Sequence, residues 1–303
     1  MLLENGEILI GEHTPDDHPT VTGQGFGARG LVERDPVLHP QGYCASIPPA
    51  QIQTYADDVL RRMIADMEAA KARISDRMRR SPGGLYASYY QNGQGYCWYY
   101  GMIGAVSAKR AVQGQPHVPL SGHAGACMIM KFRDQGGWGA LALQDALVRG
   151  IATQAKWPQG SMSQKYNTAE TWEDAKNNMP GETFADLASP HYGRKMAWDQ
   201  ECACLVDLNP TICDYNWQGH CTFSVDLVDG ASQRTVTRDP DSGKTLDLTT
   251  FDKAWGMNNP VTGGIGKRCR NSYADTFGDK GFYVLTGDKA RSSNAVAIIT
   301  ASA

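Results

Sequence analysis

The hydrophobic period of this chain changes near Cys202, from one apolar residue every three or four positions to one every second position. Upstream, Leu60, Ile64, Met67, Ile74 and Met78 fall on one face of a single amphipathic helix within residues 49–80. A second helix fits residues 97–114, and a third fits residues 138–149 with Gly150 as its stop. Downstream, Cys221, Phe223, Val225 and Leu227 alternate with Thr222, Ser224 and Asp226. Further strands fit residues 234–237, 245–249, 281–285 and 295–300, with a turn over residues 239–243. A helical half followed by an antiparallel half predicts an α+β protein with two lobes. The expected division is an N-terminal arm and amphipathic helix (1–80), a helical lobe (81–200) and a β-rich lobe (201–303).

The arm, to about residue 48, is rich in Gly, Pro, His and Asp and reads as irregular, wrapping chain. It contains Gly25, Gly27 and Gly30 in G-x-G-x-x-G spacing, but Pro36 follows where a dinucleotide fold needs a helix, so a glycine-rich turn is the better reading. With 29 Lys plus Arg against 32 Asp plus Glu, the net charge of −3 supplies no field for a nucleic acid. No apolar stretch approaches the length of a membrane span. Acidic Glu4 and Glu7 stand where a secretory signal needs basic residues, which predicts a cytoplasmic protein whose eight cysteines are thiols.

One thiol stands out by position. Gln91-Asn92-Gly93-Gln94-Gly95-Tyr96-Cys97-Trp98 places Cys97 where a glycine-bearing loop feeds a helix N-terminus. Unpaired N–H groups and the positive dipole end there favour thiolate over thiol. Such a nucleophile needs an imidazole to take and return a proton, and His220 heads the alternating strand that runs to Leu227. Asn271, just before the strand at 281–285, is a polar group suited to orienting that ring. A different reading makes Cys202, Cys204, Cys213, His220 and Cys221 a metal site, with a strand putting Cys202 and Cys204 on one face; there is no C-x(2)-C pair, and we favour no metal.

These residues resemble the papain-like cysteine peptidases. Gln91, Gly95, Cys97 and Trp98 stand in the order and spacing of that family's Q-x(5)-C-W segment. His220 with the strand after it looks like the family's histidine strand. Asn271-Ser272-Tyr273, Phe277-Gly278 and Gly281-Phe282 are similar to its N-S-W…W-G…G-Y segment, with aromatics exchanged. Gly136-Gly137-Trp138, followed by Ala142-Leu143 and Trp157-Pro158, resembles the glycine turn that lines the family's cleft and the helix after it. The resemblance covers roughly residues 85–303 and implies a papain-like two-lobed fold, with a helical left lobe, an antiparallel β-barrel right lobe and an N-terminal extension.

By that resemblance Cys97 is the nucleophile, His220 the acid/base, Asn271 its orienter and Gln91 an oxyanion donor beside the Cys97 N–H. Gly95, Trp98, Gly136, Gly137 and Trp138 line the substrate cleft. The expected activity is hydrolysis of amide bonds in a peptide or protein substrate, with no cofactor. The chain departs from the pattern at Tyr96, where the family has serine or alanine. It departs also at Gln94 and at Asp134-Gln135, so both halves of a family disulfide are missing together, which fits a reducing compartment. His220 and Asn271 lie 123 and 174 residues after Cys97, a His-to-Asn stretch longer than usual. The helix of residues 57–80 lacks the spaced Glu, Arg, Phe and Asn of the family's inhibitory propeptide, so closure by that device is not expected. Because the resemblance starts only near residue 85, the apolar helix face upstream is expected to meet a partner or a second copy. The alternative function is therefore structural: a papain-like component of a larger assembly such as a virus or phage particle, joined through the arm.

Overall fold

The computed structural model describes residues 2, 3, 5–11, 14, 30–35, 38, 39, 51–187, 193–230, 235–238, 245–247 and 264–299. The turn expected at 239–243 and the first five residues of the glycine motif lie outside them. The helices are α1 (Asp57–Ala69), α2 (Ile74–Arg80), α3 (Cys97–Val112), α4 (Gly122–Met130), α5 (Gly139–Arg149), α6 (Ala169–Lys176) and α7 (Gly193–Val206). The strands are β1 (Leu2–Leu3), β2 (Ile8–Ile10), β3 (Thr183–Asp186), β4 (Thr211–Tyr215), β5 (His220–Asp229), β6 (Thr235–Arg238), β7 (Thr245–Asp247), β8 (Ile265–Arg270), β9 (Phe282–Leu285) and β10 (Asn294–Ile299). They form one sheet in the order β3-β10-β4-β5-β8-β9-β2-β1-β6-β7.

α3 is apolar around its whole circumference, as a helix enclosed on all sides must be, and nearly every residue from Cys97 to Ala111 is buried. Its closest neighbour is β5, and glycines make that approach possible. A Cβ on Gly101 would meet the Cys221 sulfur at 2.8 Å, and one on Gly104 would meet the Phe223 ring at 2.2 Å. Cys97, Gly101 and Gly104 lie at i, i+4 and i+7, one face of the helix, so the same contact carries Cys97 to the start of β5.

Three expectations are corrected. The amphipathic segment is two helices, because Lys71 adopts a left-handed conformation (φ 51°) and the Asp76 carboxylate accepts the Arg73 N–H at 3.2 Å to start a new helix. Its apolar face, expected to meet a partner or a second copy, packs on the body: Leu60 and Ile64 lie on Cys202, Leu205, Val206 and Leu227, while Ile74 and Met78 enter the main core with α3. Residues 202–206 continue helix α7 instead of starting the β region, so Cys202 and Cys204 do not share a strand face. Their spacing of two, read over so short a run, matched a strand by chance of composition.

The arm also contributes structure that its composition concealed. β2 pairs in parallel with β9, and β1 pairs with β2 and β6. Removing residues 1–80 would strip an edge from β9 and uncover the α7–β5 surface. The shortened chain is expected to aggregate while the full-length chain runs as a monomer in size-exclusion chromatography with light scattering. A soluble, monomeric shortened chain would contradict this packing.

Candidate active site

Cys97 opens α3, fully buried, and its sulfur accepts the backbone N–H of Cys221 at 3.4 Å, the residue next to His220. The antiparallel register of β5 on β8 pairs Phe223 with Arg270, which brings Asn271, one residue further, back to the head of β5. There His220 Nε2 donates to Asn271 Oδ1 at 2.7 Å. Asn271 Oδ1 also accepts the Ser272 N–H at 2.8 Å, so this oxygen is held as an acceptor and the imidazole proton belongs on Nε2. The other ring nitrogen, Nδ1, accepts from the Tyr273 hydroxyl at 3.3 Å, and the Tyr273 ring stacks on the imidazole with centroids 4.8 Å apart. Cys97, His220 and Asn271 are thus gathered at one end of the α3–β5 contact. The exchanged aromatic in Asn271-Ser272-Tyr273 was the sequence signal for Tyr273.

Gln91 is fully buried beside them. Its Nε2 donates to Gln94 O at 2.8 Å and its Oε1 accepts from Ser272 Oγ at 2.6 Å. The loop that carries it is tied down where the family disulfide is missing: the Gly95 N–H donates to Asp134 Oδ1 at 2.6 Å, and Tyr96 OH donates to Arg133 O at 2.9 Å. Gln94 is held by His123, whose Nε2 lies 3.1 Å from Gln94 Oε1. Burial lowers the His123 pKa to about 4, so the ring is neutral at physiological pH. Trp98 Nε1 donates to Gly95 O at 3.1 Å, and Gly137 lies against the Trp98 ring, where a Cβ would sit at 2.7 Å. Sequence reasoning missed Asp214 on β4, which accepts the first N–H of α5 from Gly139 at 3.1 Å and whose carboxyl burial pushes up to about 6.

The cleft side of this site is occupied by the chain itself. Val32 donates its N–H to Gly137 O at 2.9 Å, and Gly137 N–H donates to Gly30 O at 2.9 Å, a parallel bridge centred on Leu31 and Gly137. Leu31 N–H donates to Gly219 O at 3.2 Å, next to His220. Gly30 fits only because it lacks a side chain, since a Cβ there would meet Gly95 O at 1.8 Å. Arm residues thus cover Cys97 although no propeptide-like helix pattern is present. The expected low pKa of Cys97 is corrected accordingly: burial pushes the thiol up to about 12, and N–H groups of Cys221, Gly30 and Trp98 offset this only in part.

The seven described cysteines form no disulfide, and no group of His, Cys, Asp or Glu suited to a metal ion occurs among the described residues. No described helix is long and apolar enough to cross a membrane.

No family model and no curated protein matches the sequence. Among solved structures, proCathepsin B S9 from Trypanosoma congolense superposes with a TM-score of 0.51 over 94% of this chain and 89% of that one, at 10% identity. The fold is papain-like. Xylellain, a cysteine protease from Xylella fastidiosa, has 16% identity and a TM-score of 0.47 over 90% of this chain and all of that one (100%). For digestive procathepsin L 3 of the Tenebrio molitor larval midgut the values are 14% and 0.46, over 71% of this chain and 66% of that one. At these identities the papain-like likeness is one of fold.

Proposed function

We propose that this chain is a thiol-dependent hydrolase of the papain type, a cysteine peptidase that works through an acyl-enzyme. The observation that carries the reading is the His220 Nε2–Asn271 Oδ1 bond, which holds the proton on Nε2 and makes Nδ1, now an acceptor from the Tyr273 hydroxyl, the basic nitrogen of the ring, beside the residue that contacts the Cys97 sulfur.

In the reaction His220 Nδ1 takes the Cys97 proton and the thiolate attacks the amide carbonyl carbon. The oxyanion is met by the Gln91 side-chain amide and by the Cys97 N–H, which has no intrahelical acceptor at the first position of α3. The Nδ1 proton passes to the leaving nitrogen as the C–N bond breaks, leaving a thioester. Water then gives a proton to Nδ1, attacks the thioester and expels the thiolate. Gly95, Gly136, Gly137 and Trp138, with Trp98 packed behind Gly137, supply one wall of the cleft and Gly219 and His220 the other, and a bound peptide takes over the backbone bonds that residues 30–32 make with Gly137. The form described here is the closed one, and turnover requires the arm to move.

The test is turnover of a fluorogenic peptide library by the Gly30→Ala chain, in which a Cβ 1.8 Å from Gly95 O displaces the arm, with each further substitution made in that background. Cys97→Ala and His220→Ala are each expected to abolish it, whereas Asn271→Ala and Gln91→Ala should retain measurable activity, since an orienter or a single oxyanion donor contributes a few kcal/mol, roughly 10²–10³ in kcat. Hydrolysis by folded Cys97→Ala at the unmodified rate would overturn the assignment of the nucleophile.

A further inference from the structure

Cys221 is a second thiol at the candidate site, and the hydrolytic steps make no use of it. It follows His220 on β5 and is turned toward α3. Its backbone N–H donates to the Cys97 sulfur at 3.4 Å, and its own sulfur donates to Trp98 O, the carbonyl of the next residue after Cys97, at 3.9 Å. Cys97 and Gly101 share one face of α3, and a Cβ on Gly101 would stand 2.8 Å from the Cys221 sulfur. The missing side chain therefore lets this thiol lie directly on the helix, one turn from Cys97. Both cysteines are buried, and both are free thiols in the closed form. Other cysteines of the β region face elsewhere: Cys213 and Cys269 flank Ser224, 3.1 and 3.2 Å from its hydroxyl, on the opposite face of β5. Cys127 lies on α4 against the Tyr96 hydroxyl.

A disulfide needs two side chains directed at each other from backbones about 4.4–6.8 Å apart at Cα. Cys97 and Cys221 project into one helix–strand contact from its two sides, and the Cys97 sulfur already touches the nitrogen bonded to the Cys221 Cα. We infer that Cys221 is the resolving cysteine of a redox switch on Cys97: hydrogen peroxide converts the open form to a Cys97–Cys221 disulfide, and a dithiol returns it. Once residues 30–32 leave, Cys97 is an exposed thiol at a helix N-terminus, the kind that peroxide oxidises. Its thiolate attacks one peroxide oxygen and the O–O bond breaks, leaving a sulfenic acid on Cys97 and releasing hydroxide. The Cys221 sulfur then attacks the Cys97 sulfur as the S–O bond breaks, and the Cys221 proton leaves with the hydroxyl as water. The two thiols have lost two electrons and the peroxide has become water. Without a resolving thiol the sulfenic acid goes on to sulfinic acid, which a dithiol does not reduce. The switch rests on the peptidase reading for its consequence, loss and return of turnover, but the sulfur chemistry is read without turnover.

The experiment exposes the full-length Gly30→Ala chain to hydrogen peroxide, blocks free thiols with iodoacetamide and maps the peptides by mass without reduction. The expected product is a pair of peptides joined through Cys97 and Cys221, two hydrogens lighter than the separate peptides. Dithiothreitol should then restore alkylation of Cys97. In the Gly30→Ala/Cys221→Ser chain the same exposure should leave Cys97 as sulfinic or sulfonic acid, with recovery after dithiothreitol lower by at least about five-fold. No link, a link from Cys97 to another cysteine, or equal recovery in the two chains would overturn the switch. Where Cys221→Ser does not fold, Cys221→Ala gives the same comparison, and the mapped link needs neither variant. A Cys97–Cys221 link in a chain with no turnover would retain the switch and refute the peptidase; turnover whose loss to peroxide dithiothreitol does not return would do the reverse.

Discussion

Replacing Gly30 by alanine is expected to raise the rate of Cys97 alkylation by iodoacetamide at pH 7 by roughly five- to hundred-fold, because overpacking of this kind costs about 1–3 kcal/mol in the closed state. The added Cβ would stand 1.8 Å from Gly95 O and 2.1 Å from Gly95 C, backbone atoms with no flexible end to move aside. Relief comes from lifting residues 30–32 away from Gly95 and Gly137. That exposes Cys97, reduces the desolvation that holds its pKa near 12 and lets the helix N-terminus favour the thiolate. In the unmodified chain Cys97 should label no faster than the buried Cys127, whose thiol burial also pushes up to about 11. A folded Gly30→Ala chain that labels at the unmodified rate would mean that the arm is not what closes the site.

Arg268→Ala is expected to cost about 3–5 kcal/mol of stability, the range for breaking a buried ion pair by removing one partner. Arg268 is buried on β8 between two carboxylates from distant parts of the chain. Its Nε and Nη2 donate to Glu7 between β1 and β2, and its Nη1 donates to Asp226 on β5 at 3.0 Å. Asp226 in turn accepts the Ser75 N–H at 3.2 Å in the first turn of α2. Without the guanidinium two buried anions share one pocket, and both N-terminal pieces lose their tie to the sheet. Urea denaturation measures the loss. Arg268→Lys should cost less than Arg268→Ala, because one positive charge remains without the fork. A loss below about 1 kcal/mol for Arg268→Ala would show that this cluster is not what ties the arm to the β region.

Much of the candidate site was legible because its parts are local. The helix that starts at Cys97, the strand headed by His220 and the strands after Asn271 announce themselves through period and turn residues within short windows. Asn271 could be matched across a long insertion because the β5–β8 register, not loop length, returns it to His220. The illegible parts depend on partners far away in sequence. Glu7 is surface-like by type and is buried only because Arg268 awaits it. The protonation state of Cys97 follows from a helix terminus that sequence reveals and from a covering strand, Gly30 to Val32, that it does not, since nothing in Gly-Leu-Val marks a cleft-binding segment. The break between α1 and α2 turns on Lys71 in a left-handed conformation, a residue type that gives no warning of it.

Cys97 is proposed as the nucleophile of a papain-type site. Its most direct test is incubation of the full-length Gly30→Ala chain with a papain-directed epoxide, followed by mass mapping of the adduct. One adduct on Cys97, lost in the Gly30→Ala/His220→Ala double variant, is the result expected here. An adduct on another cysteine, or none on Cys97 when iodoacetamide shows it to be accessible, would contradict the claim.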